Sequence, residues 1–186
     1  MSKKVLIFFA FACLFSAGLG QVAKAQEEAY TAMATTNRDT GAKQIQFDFR
    51  ITKWATQDQI KQLGALLKDK GQDALLEEMK KLDSGRINEK GDTGNQIAIA
   101  EKWQDGNDTV ITMIAARRMS MFETKGRGVS TKYPFGFLQV RVNANGEGSG
   151  KMVAAAGIKY DEEKGTYRLD PFGNGATPVT NVRPNK

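Results

Sequence analysis

Histidine is absent from this 186-residue chain and cysteine occurs once, at Cys13. Without imidazole, Ser-His-Asp triads and histidine-based proton transfer are excluded on inventory alone, and a lone cysteine supports neither an internal disulfide nor a Cys/His zinc site. No apolar run approaches the ~20 residues that a membrane-spanning helix requires. The longest, Val5 to Phe15, thins into Ser16-Ala17-Gly18-Leu19-Gly20. Preceded by Ser2-Lys3-Lys4 and followed by Ala23-Lys24-Ala25, it has the charged start, short apolar centre and A-x-A site of a secretory signal peptide. No twin arginine precedes it, which points to the general secretory route and a periplasmic or extracellular destination. No transmembrane anchor is expected.

Cleavage after Ala25 removes Lys3, Lys4 and Lys24 and no acid, so the formal charge falls from +6 to +3 and 161 residues remain (186 less 25). That length suits one domain with a modest core. The domain reads as residues 44–186, and residues 26–43, rich in Ala and Thr without sustained period, read as a flexible linker.

From Gln44 to Trp54, Ile45, Phe47, Phe49 and Ile51 alternate with polar residues, which predicts a strand buried on one side. Thr56-Gln57-Asp58-Gln59 is a capping box. Ile60, Leu63, Leu66 and Leu67 mark one helix ending at Gly71; Asp73 opens a second with Leu75, Leu76, Met79 and Leu82, and Glu77 paired to Lys81. An αα-hairpin results. Helix–turn–helix spacing alone does not make a DNA reader, and an exported chain of mild charge is not expected to bind nucleic acid.

Short strands follow around Ser84–Ile87 and Asn95–Trp103, the latter with Ile97, Ile99 and Trp103 on one side. Gln104–Asp108 reads as a hairpin turn; it lacks the spacing and distal glutamate of a calcium loop. Thr109 to Phe122 is apolar on both faces, as a doubly covered strand requires. Tyr133 to Asn143 alternates, and Asn145-Gly146 predicts a hairpin into a third strand, Lys151 to Tyr160. Thr166–Leu169 and an edge strand over Pro178–Arg183 complete the order. Gly146 to Lys151 lacks the first glycine and the hydroxyl of a phosphate-binding loop. Gly126-Arg127-Gly128, beside Lys125 and Lys132, reads as a solvated basic loop. The fold class expected is α+β: an antiparallel β-meander, a curved sheet or partly closed barrel of about six to seven strands, with the αα-hairpin inserted after the first strand. Lipocalin-like and helix-grip sheets begin in this order, although the long C-terminal helix of the latter is missing.

Phe49-Arg50-Ile51, Lys70 through Leu75, Arg117 through Glu123, Tyr133-Pro134-Phe135 and Gly146 through Lys151 carry a further signal. Through them the chain, from roughly Phe47 to Arg183, resembles a family of uncharacterised secreted bacterial proteins. The resemblance implies a shared fold and export. It implies no activity.

Arg117 shares a strand face with Ile111, Met113, Met119 and Met121, where a guanidinium needs a carboxylate or an anionic ligand to offset desolvation. Glu123 lies on that face but about 20 Å along at ~3.3 Å per residue. Glu101 or Asp48 from a neighbouring strand would serve as partner. The alternative is an arginine whose stem covers apolar neighbours while its head reaches water. Arg117, Glu123, Glu101 and Asp48 are therefore the candidate ligand-binding residues, with no catalytic residue, metal or cofactor assigned. Two function classes follow: an exported non-catalytic binding or envelope-associated module for a small apolar or anionic ligand or an envelope protein, and a periplasmic hydrolase or lyase run by Asp48, Glu101 and Glu123. The second needs a raised-pKa acid beside an ionised one, a pairing that no spacing provides.

Overall fold

The computed structural model describes residues 27–38, 41–89, 94–119, 133–169 and 176–185. The N-terminal segment to Ala25, Glu123 and the Gly126–Gly128 loop lie outside the described residues.

Residues expected as linker instead form β1 (Glu28–Arg38), paired along its whole length with β2 (Gly41–Ile51). The reason is volume. Ala32 and Ala34 stand opposite Phe47 and Ile45, and all four are buried, so small side chains make room for large ones across the ladder. The alternation read in β2 is present, with Ile45, Phe47, Phe49 and Ile51 all in the core.

Then comes α1 (Gln57–Met79), whose N-cap Thr56 hydroxyl accepts from the Gln59 amide at 3.2 Å. In place of the expected αα-hairpin there is one helical element interrupted at Gly71, which takes φ 81° and ψ −175°. The two helical stretches meet at this single non-helical residue, whereas the loop of a helical hairpin takes two to five. Ile60 and Leu63 before the break and Leu75 and Met79 after it therefore join the same apolar cluster. Past the break, Glu77 pairs with Lys80 and Glu78 with Lys81, not Glu77 with Lys81.

The chain continues through β3 (Gly85–Glu89), β4 (Asn95–Ile97), β5 (Ile99–Asp105), β6 (Asp108–Ala115), β7 (Phe135–Val142), β8 (Gly148–Ala156), β9 (Ile158–Asp161), β10 (Thr166–Leu169) and β11 (Thr177–Pro184). Nine strands form an antiparallel sheet in the order β4-β3-β2-β1-β11-β8-β7-β6-β5, and β9 and β10 form a separate ribbon. The outermost strands β4 and β5 are consecutive in the chain, and Ala98 between them donates to the Ile114 carbonyl at 2.8 Å. The sheet thus curls into a nearly closed barrel. The step at Ala98 also changes sides: Ile97 joins the interior cluster and Ile99 the outer one, where one shared side was expected.

β11, expected at an edge, is central between β1 and β8. A register shift between Val179 and Val182, with Asn181 at φ 52°, absorbs the irregularity, and both valines are buried. The strand expected over 109–122 stops at Ala115, beyond which Met119 turns onto Gly136, where an added Cβ would lie 2.6 Å from its side chain. The strand expected over 151–160 breaks after Ala156, and its second half leaves the barrel as β9.

Apolar side chains from every barrel strand fill the interior. A second cluster on the outer face joins α1 to β5, β6, β7, β8 and the ribbon, so β6 is covered on both faces as its sequence requires. Gly148 and Gly150 belong to the β7–β8 ladder and not to a phosphate loop: an added Cβ would meet the Arg141 and Gln139 carbonyl oxygens at 1.8 and 2.1 Å. Among the described residues no helix is long and apolar enough to cross a membrane.

Candidate binding groove between α1 and β9

Tyr160 of β9 lays its ring on Gly64 of α1, where an added Cβ would come within 2.6 Å, and its ring centroid is 5.7 Å from that of Tyr167 on β10. The Tyr167 hydroxyl donates to the Ile60 carbonyl at 3.1 Å. These contacts hold helix and ribbon together at one side and leave a groove of about 910 Å³ along the other. From α1 the groove takes Gly64, Leu67, Lys68 and Gly71, which repeat at helical spacing along one stripe, together with Lys70, Gln72 and Asp73 at the break. The ribbon contributes Ile158, Lys159, Tyr160, Glu162 and Arg168. Leu67 and the Tyr160 ring, both half-buried, supply apolar lining above the buried Ile158, and four basic side chains stand against two acidic ones along the groove. Lys68 reaches Glu162 at 2.8 Å, both well exposed.

The residues singled out by sequence do not meet in this groove. Asp48 stands on β2 and accepts from the Thr31 hydroxyl. Arg117 lies past the end of β6 and is exposed, not held in an apolar stripe, and among the described residues it makes no ion pair with Asp48 or Glu101. Glu123 is outside the described residues.

Glu101 is the distinctive one, with 3% exposure. Its Oε1 accepts from the Thr166 hydroxyl at 2.5 Å and the Tyr167 amide at 3.1 Å, tying β10 to the barrel wall. Burial pushes its carboxyl up to about 7, against the lowering effect of those two bonds. The shift has no second carboxylate among its causes, and among the described residues no three acidic, histidine or cysteine side chains gather as a metal site.

A smaller recess of about 340 Å³ lies at one mouth of the barrel, between Glu28, Tyr30, Lys102 and Gln104. Its charges are already matched. Lys102 meets Glu28 at 2.6 Å and lies 4.4 Å from the Trp54 ring centroid, and the Tyr30 hydroxyl donates to Glu28 at 3.0 Å. Burial first, then Glu28, raises the Tyr30 hydroxyl to about 12.

Sequence reasoning missed the groove because its residues come from segments far apart in the chain. Two glycines, Gly64 and Gly71, on one helical stripe were the available signal, since a helix interior carries glycine at a cost unless something approaches closely. Compared with known protein families, curated proteins and solved structures, the chain matches none.

Proposed function

We propose that this is an exported, non-catalytic binding protein, and that the groove between α1 and β9 holds a ligand that is both anionic and partly apolar. The observation that carries this is the groove itself: about 910 Å³ of open space with apolar lining and an excess of basic side chains along it. The barrel interior offers less, because side chains fill it. The carboxylate hydrolase or lyase reading has one support, the raised carboxyl of Glu101, but that group faces Thr166 and Tyr167 without a second carboxylate acting on it.

Dodecanoate, an amphipathic anion, is a direct probe. Titrated into the ¹⁵N-labelled chain, it should move amide signals of residues 64–73 and 158–162 in a saturable manner. The absence of saturable shifts in those two segments would refute binding in the groove.

A further inference from the structure

We propose that the ligand of this groove is an extended peptide segment bearing acidic side chains, added as a strand to the open edge of β9. This rests on the binding reading above and specifies its occupant.

The ribbon's register defines which backbone groups point where. Tyr167 stands opposite Tyr160, and the Tyr167 amide donates to Glu101 at 3.1 Å, away from β9. Opposed residues in an antiparallel ladder either exchange both bonds or neither, so the N–H and C=O of Tyr160 point away from β10 as well. Ile158, opposite Leu169, has the same orientation two residues earlier, and its amide donates to Gln72 on α1 at 3.3 Å. The outer edge of β9 therefore faces the helix across the groove. Its lining agrees: Ile158, Lys159 and Tyr160 line the groove in succession, whereas a strand seen face-on would contribute every second residue. Among the described residues no further strand pairs with that edge.

The Ile158 amide is taken by Gln72, which leaves the outward N–H and C=O of Tyr160 and the Ile158 carbonyl to bond an extended chain, with side-chain contacts beside them. The groove selects the chain's charge. Lys68, Lys70, Lys159 and Arg168 outnumber Asp73 and Glu162 along the groove; Arg168 also lies 3.7 Å from Asp161, and the exposed Lys68–Glu162 pair spanning helix and ribbon is displaced by an incoming carboxylate at little cost. Alternate residues of the added strand face opposite ways, which places apolar ones on Leu67 and Tyr160 and acidic ones at the lysines.

The test uses the full chain and three capped pentapeptides: alternating valine and aspartate, the same with its main chain N-methylated at the valines, and alternating valine and lysine. The aspartate peptide should shift the Tyr160 amide signal and slow its hydrogen exchange; the other two should not. Lys70→Glu with Lys159→Glu, both at exposed positions, should weaken the aspartate peptide about tenfold. Equal binding of the N-methylated peptide overturns strand addition. Dodecanoate in the groove with no peptide effect at Tyr160 overturns the peptide occupant and leaves the binding reading standing; failure of both probes removes both. A Tyr160 shift that grows with protein concentration alone overturns the proposal in favour of a second copy.

Discussion

Glu101 shows how one residue couples the fold to solution conditions. Its folded carboxyl titrates near 7, above the 4.5 of a free glutamate, so folding takes up a proton between those values. The folded state therefore holds its full advantage below pH 4.5 and loses it as pH rises through 7, by on the order of 3 kcal/mol. Glu101→Gln, which keeps an acceptor for Thr166 and Tyr167, should flatten this dependence. Urea denaturation from pH 4 to 9 checks it, and parallel wild-type and variant curves would contradict it. At Gly64 the constraint is space: an added Cβ meets the Tyr160 ring at 2.6 Å, so Gly64→Ala should cost about 1–3 kcal/mol through overpacking. An unchanged urea midpoint would show that the ring moves freely. Single residues were legible where local chemistry decides them, as with the Thr56 cap and its bond from Gln59. Arg117 was not, because its setting depended on where β6 ends: the strand stops at Ala115, and beyond it Met119 lies against Gly136.

Elements with strong alternation were readable in advance. β2 and the doubly covered β6 carry their burial in their sequence, and Asn143–Glu147 turns β7 into β8 with the Asn143 side chain accepting from the Asn145 and Glu147 amides at 2.9 and 3.1 Å. β1 was not readable, since Ala and Thr give no hydropathy contrast and its burial follows from Phe47 and Phe49 across the ladder. The helix break is a test of element-level strain. An added Cβ at Gly71 has nothing within 4 Å, so the cost of Gly71→Ala lies in the backbone alone, at φ 81° and ψ −175°. A loss of about 1–3 kcal/mol is expected, read as a lower thermal midpoint; an unaltered midpoint would mean that the break is not set by glycine.

Closure belongs to the whole molecule and was only partly visible in the chain. A meander with an early helical insertion was inferred, but the pairing of β11 with β1 joins the two ends of the domain, and no local period encodes a partner that distant. Because β11 bonds to both β1 and β8 and buries Val179 and Val182, a chain ending at Ala176 should lose cooperative unfolding by circular dichroism. A retained sharp transition would show that the barrel stands without it. The nearly closed, filled barrel is also why binding is placed outside it, in the groove between helix and ribbon. Hydrogen–deuterium exchange of the full chain with and without the valine–aspartate pentapeptide tests that placement most directly. Protection confined to residues 64–73 and 158–162 is the predicted result, and protection at the barrel mouth around Glu28 and Lys102, or nowhere, would contradict it.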